Sequence, residues 1–243
     1  MEIEVIHLKE YGVYTCNCGH DMMPTYGDHH YTESGLQDVT LLNNLKYVCP
    51  NCKEEDFVIK NIQHLHLTIA SELVKRKQLK PEEFRFLKCF LNFEKDEKFK
   101  LGLDFHGVIS ANPILFSNLA KVLIESNQQV HIITGRRITE DFIFTLAGLD
   151  MAWTRIWSIS DHHWELKTPM TGYLEDQPVI HDDIWNATKG QYCFEQKIGL
   201  HVDDSEVYGH YFKTPYLTYY KDDERTILRY LKNRGTKNGN YKK

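Results

Sequence analysis

Phe99-Lys100-Leu101-Gly102-Leu103-Asp104-Phe105-His106-Gly107-Val108-Ile109-Ser110 reads as a short apolar strand that delivers one carboxylate, Asp104, to its carboxyl end. A Gly-containing turn then leads towards a helix starting near Pro113. Strand ends of open α/β sheets are where ligands bind, so a carboxylate there points to chemistry more than to packing. Three later segments are built to meet it. Gln129 to Arg137 is a second apolar strand ending in Thr134, Gly135, Arg136 and Arg137. Trp153 to Ile159 is a third strand, followed by Asp161-His162-His163, read as a strand-end loop, and Lys197 to Asp204 is a fourth, ending in Asp203 and Asp204. Helix-length segments separate these strands, among them Ile114 to Ile124, so the expected fold is α/β with a parallel, Rossmann-like sheet.

In such a sheet Asp104, Thr134 and Asp203/Asp204 share one edge. Carboxylates from two strands suit a hard divalent cation such as Mg2+, and a hydroxyl beside a cation suits phosphate oxygens. The order D-x-x-G-V, apolar-T-G, Lys, apolar-D-D-S over roughly residues 98–219 resembles the haloacid dehalogenase (HAD) superfamily of phosphohydrolases. The resemblance implies that Asp104 is the nucleophile that forms an aspartyl-phosphate, and that Thr134 is the phosphate-binding hydroxyl; Gly135 is counted with it on the substrate side, and Arg136 and Arg137 could hold a second substrate anion. It further implies that Lys189, at the start of the helix before the fourth strand, neutralises nucleophile and phosphate, in preference to Lys197. Asp204 would be a direct Mg2+ ligand, Asp203 a ligand or the partner of one, and the His106 carbonyl would complete the set with Asp104. The family's usual residue two after the nucleophile is a second Asp. His106 stands there instead, either as a replacement acid/base or as the mark of a site with weak turnover.

The first hundred residues carry different chemistry. Cys16 and Cys18 form one close pair and Cys49 and Cys52 another, beside bend-forming Gly19 and Pro50. Two such turns give the four tetrahedral sulfur ligands that structural Zn2+ prefers. Because the first pair is C-x-C, His20, His29 or His30 could replace one thiolate. This part resembles the zinc-finger half of the bacterial YgiT-type antitoxin-like proteins, and it implies a module for folding or for contact with nucleic acid or protein. From Leu67 to Phe93 the pattern takes a helical period, with Pro81-Glu82-Glu83 opening a second helix.

The expected organisation is a zinc-ribbon-like domain at 1–66, a helical connector at 67–97 with its boundary at Lys95 to Lys98, a HAD-like α/β domain at 98–232 and a basic tail at 233–243. Hydrophobic residues make up 42% and charged residues 26% of the chain, with a net charge of -5, which argues against a broad polyanion-binding surface. No run approaches the roughly 20 apolar residues of a membrane span, and no secretory signal opens the chain, so a cytoplasmic protein is expected. Thr168 to Ile180 reads as a hairpin. It belongs to the insert, Ile138 to Thr188, that supplies whatever covers the site. Little cover would admit a bulky substrate such as a nucleotide or a phosphorylated polynucleotide end.

Overall fold

The computed structural model describes residues 1–4, 12–59, 61–93, 98–174, 177–221 and 223–234. The boundary expected at Lys95 to Lys98 and the basic tail fall almost wholly outside these residues.

Five parallel strands form one sheet, in the order β12-β11-β6-β7-β8, four of them expected from the sequence and the edge strand β12 not. They are β6 (Lys100–Leu103), β7 (Gln129–Thr134), β8 (Arg155–Ser158), β11 (Leu200–Asp203) and β12 (Tyr216–Thr218). Leu101, Leu103, Val130, Ile132, Leu200 and Val202 are fully buried, because helices cover both faces of a parallel sheet. β6 is central. It pairs β7 on one side, Leu103 beside Ile132, and β11 on the other, Leu103 beside Val202. The chain winds outward from β6 through β7 to β8 and then returns to β11 on the opposite side. The strand order reverses between β6 and β11, and a crevice opens there at their carboxyl ends.

Local signals set the helices. Asn112 caps α3 (Pro113–Glu125) by accepting from the Leu115 amide at 3.3 Å, with Pro113 at the first helical position. Thr139 caps α4 (Glu140–Gly148) in the same way through the Phe142 amide. Ser158 ends β8 and caps α5 (Ile159–Glu165) through the Asp161 amide at 3.0 Å, so strand and helix abut without a linker. Asp161-His162-His163 therefore lies in a helix and not in a strand-end loop. The expected hairpin is present as β9 (Gly172–Leu174) against β10 (Gln177–Val179), and α6 (Asp182–Glu195) follows it.

The amino-terminal sheet is built on β3 (Asp21–His30) and β4 (Thr40–Val48), an antiparallel pair. β1 (Glu2–Glu4) runs parallel to β4, β2 (Tyr14–Thr15) pairs β3, and β5 (Glu55–Phe57) pairs β4. The helical period begins at Ile62, in α1 (Ile62–Val74), five residues before the apolar pattern marks it, and α2 (Pro81–Leu91) follows. α1 and α2 pack on each other, on α3 and on α8 (Glu224–Asn233). One apolar cluster runs from Tyr31, Leu36 and Leu41 through Ile69, Leu73 and Leu87 to Leu101 and Leu228. The strands of the first half and the parallel sheet thus share a core.

His131 on β7 lies buried between the Tyr192 hydroxyl, 3.0 Å from Nδ1, and Gln129 Oε1, 3.3 Å from Nε2. Burial, helped by Lys100 and Arg155, pulls its imidazole down to about 4. An unfolded-state histidine takes up its proton near pH 6.5, so between pH 6.5 and 4 the unfolded chain holds more protons than the native one. The stabilisation is complete above pH 6.5 and is lost as pH falls through this window. Wild type should lose on the order of 2 kcal/mol more stability than His131→Gln between pH 7 and pH 4, measured by urea unfolding. Equal losses would remove this assignment.

Candidate functional site

Asp104 follows β6 directly, at the crevice. Its amide donates to the Val202 carbonyl at 3.0 Å, which ties it to β11. Asp203 ends β11 itself. Between them lies the Lys189 ammonium, 2.8 Å from Asp104 Oδ1 and 2.7 Å from Asp203 Oδ2. All three residues are buried, at 4%, 0% and 3% exposure for Asp104, Asp203 and Lys189. Lys189 sits in the middle of α6, two turns into it, and not at the helix start as the sequence suggested. Its ammonium also stands 4.5 Å from the centre of the Tyr208 ring, on α7 (Glu206–Gly209), and Tyr208 OH accepts from Trp185 Nε1 at 3.3 Å.

The electrostatics follow from this geometry. Burial opposes the charge of Lys189, but Asp104 and Asp203 outweigh it and hold the ammonium above its ordinary range. Burial likewise works against ionised Asp203, yet His201 and Lys189 together keep its carboxyl well below the usual carboxylate range. Asp104 is pushed up by burial, with Lys189 opposing.

The turn after Asp104, Phe105–Ile109, depends on Gly107. Its φ is +68°, and a Cβ built there would lie 2.0 Å from Asp204 Oδ2, so the Asp204 carboxylate occupies the space a side chain would need. This close approach brings one oxygen each of Asp104, Asp203 and Asp204 within 4.8 Å of one another. Three hard oxygen donors at that spacing could hold a metal ion. Asp204 is exposed, whereas its neighbour is not. His106 is exposed at the rim, its ring edge-on to Phe105. Reduced hydration, with Arg136 and Lys189 nearby, pulls its imidazole below the ordinary range, Asp204 opposing.

Thr134 ends β7, fully buried, and its Oγ1 accepts from the Arg136 amide at 3.2 Å, leaving the O–H to donate. Gly135 follows it, its carbonyl accepting from Ser160 Oγ at 2.5 Å. Arg136 stacks over the Phe142 ring, 5.8 Å from its centre, whereas Arg137 is engaged by Asp161 at 3.1 Å. Lys197 is exposed in the turn before β11, at the opposite end of the strand from the crevice. His163 is committed to Thr168 and Thr188, each at 2.9 Å. Trp157 stacks on Tyr192 at 4.2 Å, while Trp164 is half-exposed. The sequence reading passed over His201, which touches Asp203, and the one signal for it was a histidine in an apolar run two residues before the acids.

A second cluster gathers at the amino-terminal sheet. The sulfurs of Cys16, Cys18, Cys49 and Cys52 all lie within 4.8 Å of one another. Cys16 approaches Cys52 at 3.3 Å and Cys18 approaches Cys49 at 3.4 Å. Two tight turns present them: the Gly19 amide donates to the Cys16 carbonyl, and the Lys53 amide to the Cys49 carbonyl. Hydrogen bonds from Cys49 and then Cys16 pull the Cys18 thiol down to about 5. The Cys18 amide favours a Cys16 thiolate, but Glu54 and burial prevail and push that thiol up. Four soft sulfur donors this close could hold a metal ion such as zinc. All four come together without a histidine replacement. His20 Nδ1 stands 3.6 Å from Cys18, and His29 stacks on Phe57.

No protein-family model, no curated protein and no solved structure matches the chain. No helix among the described residues is long and apolar enough to cross a membrane.

Purified protein should carry about one zinc per chain, lost on combining Cys49→Ser with Cys52→Ser and accompanied by a lower melting temperature. Metal analysis with a thermal melt checks it. Metal-free protein that melts at the same temperature would contradict a structural metal.

Proposed function

We propose that the protein is a Mg2+-dependent phosphohydrolase of the HAD type, acting through an aspartyl-phosphate at Asp104 on a phosphate monoester. The carrying observation is the buried Lys189 ammonium between Asp104 and Asp203, at the switch point of a parallel sheet. A phosphate ester repels an anionic nucleophile, so attack by Asp104 needs positive charge beside it. Lys189 supplies one such charge. The donor chemistry of Asp104 and Asp204, with the His106 carbonyl and with Asp203 beside them as a ligand or the partner of one, fits a hard cation, and a bound Mg2+ would neutralise phosphate oxygens and the nucleophile together.

The chain's own residues divide the remaining work. Asp104 forms the new P–O bond as the bond to the leaving oxygen breaks. Thr134 donates its free O–H to a phosphate oxygen, with Arg136 beside it. His106 in its imidazolium form gives its proton to the leaving alkoxide, and the neutral ring so formed later accepts one from the water that hydrolyses the acyl phosphate. Between β6 and β7 there is room for α3 alone, so any cover comes from the insert between β7 and β11 that holds α4, α5 and the β9–β10 hairpin. This favours a substrate that extends from the site, such as a nucleotide or a polynucleotide end. The cysteine cluster fits a zinc ribbon whose surface contacts nucleic acid or another protein.

One observation favours a second reading, a zinc-ribbon regulatory protein whose HAD-like domain is catalytically weak: His106 replaces the family's acidic acid/base. With Mg2+ and a panel of nucleotides, oligonucleotide ends and small phosphate esters, wild type should turn over at least one class and Asp104→Asn none. His106→Ala should lose about a hundredfold in turnover while retaining phosphate binding. Absence of Asp104-dependent turnover across the panel selects the regulatory reading, and full turnover in His106→Ala limits that residue to its carbonyl.

A further inference from the structure

His201 lies on β11 two residues before Asp203, on the same face of the strand, and is completely buried. Its Nε2 is 3.2 Å from Asp203 Oδ2, the oxygen that also accepts from Lys189. Nδ1 has no partner. A buried imidazole in this position is least costly with its proton on Nε2, where the carboxylate accepts it. The other tautomer would bury an unpaired N–H and set two acceptors against each other. The ring is fixed from two sides. It stacks on Phe212 at 5.1 Å and 8°, and it fills the space over Gly102, where a Cβ would stand 2.8 Å from Nδ1.

The three carboxylates of the site are not equally available. Asp203 Oδ2 accepts from Lys189 and His201, and its Oδ1 accepts from the Ser205 amide at 3.1 Å. Three of its roughly four acceptor positions are taken. Asp104 Oδ1 accepts from Lys189, and the Asp204 carboxylate lies exposed over Gly107.

We propose that His201 is a positioning residue: its Nε2–H pins Asp203 against Lys189, reserves that carboxylate for the ammonium, and leaves Asp104 and Asp204 as the carboxylates open to a cation. The assignment deepens the phosphohydrolase reading and rests on it for the turnover readout alone. His201 touches neither substrate nor metal and acts through Asp203. An apolar residue would serve the strand equally well for packing, but it would remove one of the three hydrogen bonds that hold Asp203 in place.

Three measurements on the full-length protein test it. In 15N-labelled protein the His201 ring should give the neutral Nε2–H pattern, and an Nδ1–H pattern overturns the proposal. In Mn2+ titrations, Asp204→Asn should weaken binding about tenfold or more, whereas Asp203→Asn and His201→Phe stay within about threefold of wild type. The reverse order of Asp203 and Asp204 overturns it. With p-nitrophenyl phosphate, His201→Phe, which keeps the ring stack, should lower kcat about tenfold or more with little change in KM, and His201→Gln, which restores an N–H donor, should recover most of the loss. Equal kcat losses in the two variants, or none in either, overturn it. Wild type that hydrolyses no phosphate ester would remove the phosphohydrolase reading, and the tautomer and Mn2+ results would still decide the role of His201.

Discussion

A buried ammonium is the constraint around which the carboxyl-terminal half is arranged. Taking Lys189 out of water costs several kcal/mol, and the cost is met only if carboxylates meet it at hydrogen-bond distance. Asp104 and Asp203 do so from adjacent strands. That requires β6 and β11 to be neighbours with their carboxyl ends level, which the pairing of Leu103 with Val202 provides. It also requires α6 to lie across the crevice with its middle turn over both strand ends. A charge so confined has few positions, and it holds the two carboxylates in one fixed arrangement at the strand ends.

The amino-terminal half solves a different problem with the same economy of position. Four sulfurs drawn within 4.8 Å cannot all become thiolates without a cation among them, so their spacing is that of a metal-binding set. The turns that carry them close on backbone hydrogen bonds and on residues in the left-handed region, Gly19 and Lys53. The two candidate sites differ in donor type. Soft sulfur stands at one and hard oxygen at the other, so different metals suit them.

What the sequence revealed and what it hid have physical reasons. β6, β7 and β11 were legible because strands buried on both faces are almost uniformly apolar, so an acid or hydroxyl at their ends stands out. The four cysteines were legible through their spacing. Lys189 was recognisable as the needed cation but not as a mid-helix residue, because α6 is apolar on a narrow stripe and carries Asp182, Asp183 and Gln191 elsewhere. The first turns of α1 were missed because His64 and His66 interrupt its apolar period. α5 is hidden from the sequence since its only start signal is Ser158, the last residue of β8. His201 has no spacing rule at all. Its role exists only in the distance to a side chain that the fold turns towards it.

The unbroken apolar cluster that joins Leu41 to Leu101 through α1 and α2 bears on how this molecule can change. On β4, Leu41 belongs to that shared interior, and the strand leads straight into Cys49. The cysteine-bearing end of the hairpin lies outside that interior, in a small cluster of its own formed by Cys16, Met22, Leu45, Tyr47 and Cys49. One strand thus serves two interiors, with Leu41 in the larger and Leu45 and Tyr47 in the smaller, and a change at the cysteines falls first on the smaller one.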